Sequence, residues 1–377
     1  MRYTKTIIAA LLAFTLVIGC KSSVPAVEDE AVMPELLHEI VVDSLDRPWG
    51  LAELPDGSIL FTERGGNLSV WQAEELISIA EIPDVAVRGE GGLLGVAVDV
   101  EFEENRYIYV AYNINLDGPA VRVTRFELTE ELALESAVHI VEDLPAIESG
   151  RHSCTQLQMD KEGVLWIGTG DAATGDNPQD PESLGGKILR VTRDGEPVEG
   201  NLEAPFDPRI FSYGHRNTQG LVLFDEPVDD VYGYSAEHGS WIDDEVNELV
   251  SGNFGWAPHP PYDEAVPMTD LERFPDAIEA VWSSGDSTIA VSGLTQLIGE
   301  HWGDYEFALV LGVQKNQHLR VVRIEEQETV GELMLYEGEF GRIRGVLMHS
   351  DGALYFATDN GNGADKIVRV QVIEDDE

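Results

Sequence analysis

The chain holds only 24 Lys and Arg against 70 Asp and Glu, yet several of its cations recur in one kind of place, just ahead of short apolar strands. In chain order the polar residues there are Glu90, Arg151-His152, His215-Arg216-Asn217 with Gln219, Ser287-Thr288, and Arg342 with Arg344. Lys315 stands at a further strand start, in Gly312-Val313-Gln314-Lys315-Asn316-Gln317. If these starts converge, they make a cationic floor in a very acidic protein, and such a floor implies an anionic ligand. Arg presents a planar fork suited to carboxylate or phosphate, and Lys a point charge. A cofactor with several carboxylates fits. The competing reading is that these arginines cross-link to internal Asp and Glu. His152 is flanked by the small residues Ser153 and Cys154, which leave room for a ligand. A His at a channel mouth can serve as general base near neutral pH, the alternative being a structural histidine.

A second chemical feature is Glu237-His238-Gly239-Ser240-Trp241-Ile242-Asp243-Asp244-Glu245, a turn with free carbonyls followed by three carboxylates in a row. Hard cations such as Ca²⁺ take that mixture of oxygens, although the spacing is not that of an EF-hand loop.

Elements far apart in sequence must bring these residues together. Six inner-strand starts read Trp49-Gly50-Leu51, Gly92-Leu93-Leu94, Gln156-Leu157-Gln158, Gln219-Gly220-Leu221, Ser292-Gly293-Leu294 and Arg344-Gly345-Val346. Several pass through a turn into a second strand, as in Pro55-Asp56-Gly57 before Ile59-Leu60-Phe61, and Lys161-Glu162-Gly163 before Val164-Leu165-Trp166. A spacing of about 40 to 70 residues suits one four-stranded blade per repeat. The pattern predicts an all-β fold, a six-bladed β-propeller whose innermost strands surround one channel. His38 to Val42 is expected to complete the last blade beside Ile367 to Val372, hiding two sheet edges. Ile108 to Val110, Arg122 to Phe126 and Leu319 to Ile324 alternate as half-exposed strands. Glu74 to Ile79 and Leu271 to Ala277 are candidate helical turns. Two long loops, Ala172 to Gly185 and Pro258 to Phe274, are rich in Pro, Asp and Gly and long enough to be functional.

A chain of 377 residues with a net charge of −46 is repelled by nucleic acid and by anionic lipid surfaces. Arg2 and Lys5 precede an apolar run from Thr6 to Ile18, too short to span a bilayer and suited to a secretory signal. The run ends in Val17-Ile18-Gly19-Cys20, which resembles a bacterial lipobox. Residues 1–19 are therefore expected to be a lipoprotein signal peptide, with Cys20 acylated. Residues 20–37 are expected to be a flexible tether and 38–377 the propeller. The protein would be exported and lipid-anchored, facing the periplasm, with the outer membrane favoured over the inner, and would touch the membrane only through its anchor. Cys154 is then the sole thiol left, a small residue packed near the channel rather than a nucleophile.

The ordered set Gly89-Glu90-Gly91-Gly92-Leu93-Leu94-Gly95, Gly150-Arg151-His152, Gly168-Thr169-Gly170-Asp171, Leu184-Gly185-Gly186-Lys187-Ile188-Leu189-Arg190, Gly214-His215-Arg216-Asn217-Thr218-Gln219-Gly220, Glu237-His238-Gly239, Asn253-Phe254-Gly255-Trp256 and Gly341-Arg342-Ile343-Arg344 resembles the glucose/sorbosone dehydrogenase family. Its members include soluble aldose sugar dehydrogenases dependent on pyrroloquinoline quinone (PQQ). The resemblance runs from about His38 to Val372. It implies that His152 is the general base at the sugar's anomeric hydroxyl while hydride moves to PQQ, giving the lactone. It implies that Arg216 stabilises charge on the quinone oxygen, with Asn217 beside it. It assigns Lys315, Arg342, Arg344 and Thr288 to the PQQ carboxylates, and the carbonyls of Gly239 and Ser240 to a Ca²⁺ that also grips PQQ. Glu245 matches a ligand of a second, structural Ca²⁺, with the Phe254 carbonyl and Asp263 as companions. Where the family commonly has Gln in contact with substrate or quinone, this chain has Glu90, which is expected to pair with a channel Arg or keep its proton. A sugar is the implied substrate, and a quinone or cytochrome the implied electron acceptor. Two rivals carry the same fold: a Ca²⁺-dependent lactonase or other hydrolase, and a non-catalytic binding module.

Overall fold

The computed structural model describes residues 31–259 and 261–373. The lipobox and Cys20 lie outside the described residues, as does most of the expected tether. Among the described residues no helix is long and apolar enough to cross a membrane.

Six antiparallel sheets follow one another along the chain. Blade 1 comprises Pro48–Glu53, Ile59–Glu63, Asn67–Gln72 and Glu75–Glu81; blade 2 Leu93–Val98, Tyr107–Asn115, Pro119–Leu128 and Leu134–Pro145. Blade 3 comprises Thr155–Met159, Leu165–Thr169, Lys187–Val191 and Ile210–Tyr213, with Gly252–Asn253 added in parallel at its edge. Blade 4 is Thr218–Val228, Val231–Glu237, Glu245–Glu248 and Trp282–Ser283; blade 5 is Val291–Gln296, Leu309–Val313, His318–Glu325 and Glu328–Leu335. Blade 6 takes Ile343–Met348, Leu354–Thr358 and Asp365–Val372 from the C-terminal part of the chain, and its outer strand, Leu36–Leu45, from the N-terminal part. All six expected inner strands are present, and so is the ring-closing strand, which begins at Leu36 rather than His38. Leu36 pairs with Val372 and His38 with Val370, so two otherwise free edges satisfy each other.

An apolar cluster fills each gap between neighbouring blades. Leu60, Leu68 and Val70 of blade 1 meet Leu93, Val96 and Ile108 of blade 2, and at the closure Tyr355 and Ile367 meet Ile59 and Phe61. Near the channel the inner strands approach too closely for side chains. A Cβ on Gly50, Gly95, Gly220, Gly293 or Gly345 would come within 2.6–2.9 Å of backbone or Cβ atoms of the next inner strand. This is the physical content of the recurring Gly-apolar signature. In blade 2 the glycine in contact is Gly95, not the Gly92 of the sequence pattern. Blade 3 has Leu157 in its inner strand and uses Gly168 of its second strand against Thr218 instead.

Helix is scarce, as expected, but the two candidate turns are not helical. Glu75–Glu81 is the outer strand of blade 1, where cross-strand pairing overrides local propensity, and Leu271 to Ala277 forms irregular turns. One helical turn lies at Phe102–Asn105 and a 3-10 segment at Glu300–Tyr305.

Candidate active site

Antiparallel pairing brings the start of each inner strand and the end of its second strand to the same face of the ring. Thr155 opposes Thr169, so the chain reaching His152 and the chain leaving at Asp171 meet. His152 Nδ1 lies 2.8 Å from Asp171 Oδ1. Asp171 also accepts from Trp256 Nε1 (2.8 Å), the Tyr262 hydroxyl (2.7 Å) and the Ala173 amide (2.7 Å). Burial alone would push the Asp171 carboxyl up. His152, Arg216 and the Tyr262 hydroxyl outweigh it and hold the group below the usual carboxylate range. A charged Asp171 fixes the proton on His152 Nδ1, leaving Nε2 as the nitrogen that can accept. The His152 backbone is left-handed, with φ of 50°, and its carbonyl sits so close to Gly170 that a Cβ there would be 2.2 Å away. The dyad thus rests on a strained residue and a glycine that makes room for it.

Arg216 lies beside this dyad, buried like His152, and its carbonyl accepts the Asp171 amide (2.8 Å). Its guanidinium stands over the Trp256 ring at 5.6 Å, donates to the His238 carbonyl, and pairs with Glu264. Its amide donates to Glu237 Oε2 at 2.9 Å. Asn217 follows and donates from Nδ2 to Glu90 Oε2 at 3.0 Å. Glu90 does line the channel, but its partner is this amide and not the expected arginine.

Next to these residues a cavity of about 390 Å³ is lined by Arg47, Arg64, Arg342 and Arg344, against only two carboxylates, Glu90 and Asp359. Arg344 is the most firmly held. Its Nε and Nη2 donate to Asp359 Oδ2 at 2.9 and 2.8 Å, Nη1 reaches Gln219 at 3.1 Å, and Cζ lies 3.5 Å from the Trp49 ring centre. Arg342 bonds the Asp359 carbonyl (3.1 Å) and Gln314. The cross-linking reading of these arginines describes both side chains, and both also line the cavity. They are cross-linked to an internal acid, and that cross-link aims them at one cavity. Lys315 is not at a strand start; it sits exposed in the turn after Leu309–Val313, with Nζ 2.8 Å from the Thr288 carbonyl. Thr288 is buried and donates to Asp244 Oδ1 at 2.7 Å.

The acidic loop divides its three carboxylates. Asp243 turns to Ser283. Asp244 accepts the amides of Gly239 (2.8 Å), Ile289 and Ala290, tying the Gly239-Ser240 turn to blade 5 beside the cavity. Glu245 points inward, where burial first, then Glu237 and Asp243, push its carboxyl well above its ordinary range. Asn247 Oδ1 is buried there without a partner among the described residues. Phe254 is buried and stacks on His215 at 4.5 Å. Asp263 is exposed and bridges His259, and no contact brings it to Glu245. Among the described residues no cluster of three or more His, Cys, Asp or Glu forms a metal cage. Cys154 is packed with Trp49 and Leu94, and burial pushes its thiol up to about 12, as expected of an inert residue.

Asp171, Tyr262, Glu264, Trp256, His238, Arg47, Arg64 and Asp359 carried no role in the sequence reading. Half of them were accessible by one rule, since Arg64, Asp171, His238 and Asp359 each end or follow a second strand.

The family model for glucose/sorbosone dehydrogenase matches residues 45–369. The chain is 31 % identical to aldose sugar dehydrogenase YliI of Escherichia coli (strain K12) over 342 residues, covering 86 % of this chain and 90 % of that protein. The structure resembles the soluble aldose sugar dehydrogenase from Escherichia coli in its apo-form, with a TM-score of 0.80, 28 % identity and coverage of 90 % of this chain and 100 % of that one. It also resembles the PQQ-bound form of aldose sugar dehydrogenase from Streptomyces coelicolor, with a TM-score of 0.72, 25 % identity and coverage of 90 % and 99 %. The chain belongs to the glucose/sorbosone dehydrogenase family and is an oxidoreductase of its sugar dehydrogenase class.

Proposed function

We propose that the protein oxidises an aldose at its anomeric carbon to the lactone, with PQQ and Ca²⁺. The observation that carries this reading is the adjacency of a His-Asp dyad, a buried arginine and an arginine-lined cavity. The cavity fits a planar quinone with several carboxylates, because four guanidiniums outnumber the two acids around it. Arg342 and Arg344 would hold carboxylates, with Arg47 and Arg64 lining the same cavity, and Lys315 and Thr288 at the blade 5 rim. Ca²⁺ would take the Ser240 carbonyl and the Gly239 carbonyl beside the cavity; the latter is not free as expected but lies 2.7 Å from His238 Nδ1, which would have to yield it. A second Ca²⁺ would serve Glu245, whose suppressed ionisation and orphaned neighbour Asn247 Oδ1 suit a hard cation.

When bound, PQQ supplies the quinone carbon that accepts hydride from the sugar. His152 Nε2 takes the proton of the anomeric hydroxyl, and Asp171 holds Nδ1–H and steadies the imidazolium that results. Arg216 would stabilise negative charge, a preorganised electrostatic role for a buried guanidinium. Tyr262 and Trp256 keep Asp171 ionised and aimed. A quinone or cytochrome would be the electron acceptor. The lactonase reading is weaker, since the channel is lined by guanidiniums rather than by metal-ligating acids from several blades. We also place the protein outside the cytoplasm, anchored through an acylated Cys20. Titration of apo-protein with PQQ at fixed Ca²⁺ tests the assignment. Saturable binding, weakened roughly 10- to 150-fold in Arg344→Gln, is expected, given about 1.5–3 kcal/mol for a charged hydrogen bond. Absence of saturable binding by the wild type and by Glu264→Gln alike would refute it.

A further inference from the structure

The arginine assigned to the quinone oxygen is already occupied by the protein itself. Arg216 donates from Nε (3.1 Å) and Nη2 to Glu264 Oε1, and from Nη1 to the His238 carbonyl; only 3 % of the residue is exposed. The other Glu264 oxygen holds Arg151. One carboxylate, itself 10 % exposed, therefore bridges two guanidiniums. It is delivered by the segment that also carries Tyr262, whose hydroxyl lies 2.9 Å from His152 Nδ1. Both residues given chemical roles are thus covered by one short stretch of the Pro258 to Phe274 loop.

The Nε–Nη2 edge of a guanidinium is one that a carboxylate fills, and two anions cannot share it. An oxygen ligand can reach this edge of Arg216 only if Glu264 gives way. An arginine buried without an anion is costly, so the apo-protein needs a stand-in. Two guanidiniums against one carboxylate also mean that a departing Glu264 keeps a partner in Arg151. We propose that Glu264 is the resident anion of Arg216, exchanged on loading for the cofactor's quinone oxygen and then retained by Arg151. This rests on the PQQ reading above. It makes Glu264 a positioning residue that sets cofactor affinity, and the segment around it a self-inhibiting contact in the empty enzyme.

The test is a PQQ titration of the full chain at fixed Ca²⁺, followed by quenching of tryptophan fluorescence, with apo melting temperatures measured alongside. Glu264→Gln should bind PQQ about tenfold more tightly than the wild type while melting at a lower temperature. Glu264→Asp, which keeps the charge but shortens the reach, should fall between them and serves if the Gln variant folds poorly. Arg151→Gln should weaken binding about tenfold in the wild-type background and have no effect in the Glu264→Gln background, since the pair is coupled. A Glu264 that merely braces the loop would lower the melting temperature and leave Kd unchanged or weaker, which overturns this inference alone. Failure of the wild type and both Glu264 variants to bind PQQ overturns it together with the functional assignment. Binding by the variants but not by the wild type supports it.

Discussion

At the scale of the residue, the account depends on one histidine made into a base by one buried carboxylate. His152→Ala should lower kcat by roughly 10²–10⁴-fold, the usual contribution of a general base, and leave PQQ affinity within a few-fold of the wild type. Asp171→Asn keeps the shape but reverses the hydrogen-bond preference at Nδ1, so it should also fall by at least about 10²-fold, without loss of cofactor. Steady-state kinetics on the reconstituted enzyme with a parallel PQQ titration checks both; near-native kcat in either variant would make the dyad structural. A separate residue-scale prediction concerns acid stability. Burial would raise the Asp359 carboxyl, but Arg344, Arg342 and Arg64 hold it below its ordinary 3.8. A carboxyl lowered on folding contributes stability that is present above the unfolded value and lost as pH falls through the folded one. Asp359→Asn should therefore melt several degrees lower at pH 7, and the gap should narrow below about pH 4. A gap independent of pH would mean that packing, not charge, couples Asp359 to the arginines.

At the scale of the element, the glycines of the inner strands are where the ring is tightest. Gly293→Ala would put a Cβ 2.6 Å from the Arg344 carbonyl, and Gly345→Ala one 2.7 Å from the Trp49 carbonyl. Each should cost about 1–3 kcal/mol through forced backbone shifts. Gly331→Ala, whose nearest neighbour atom is an Arg323 nitrogen at 4.0 Å, should leave the melting temperature almost unchanged. Thermal melts of the three variants decide this, and equal effects would remove the packing explanation of the signature. The same signature explains why the fold was legible in the sequence. A glycine followed by an apolar residue at five of the six inner strands is a local mark of a global closure, and ring closure by residues 36–45 follows from the need to hide two edges. The site was legible on one side only. Residues ahead of inner strands were found, including His152, Arg216, Arg342 and Arg344. Residues behind second strands, including Asp171, Arg64 and Asp359, were missed because only the starts of inner strands were read, although hairpin pairing brings the ends of the second strands to the same face. Tyr262 and Glu264 carry no periodic signal at all, since a long loop between blades delivers them. Lys315 was misplaced because a turn flanked by apolar residues reads like a strand start.

At the scale of the whole molecule, a ring of six sheets gathers a few guanidiniums inside a chain of net charge −46. The surrounding acidity favours the folded state least at low ionic strength, where self-repulsion is unscreened. The melting temperature should therefore rise as NaCl goes from about 10 mM to about 1 M, where the screening length drops from roughly 30 to 3 Å. A melting temperature that stays flat or falls would show that the surface charge is already locally compensated. The central claim, however, is the reaction. The most direct measurement mixes purified protein with PQQ and Ca²⁺, adds a panel of aldoses, and follows reduction of an artificial dye together with lactone formation. The account predicts dye reduction that requires sugar, PQQ and His152 together, with lactone formed in step with reduced dye. Saturable PQQ binding without sugar-dependent dye reduction, or dye reduction undiminished in His152→Ala, would contradict it.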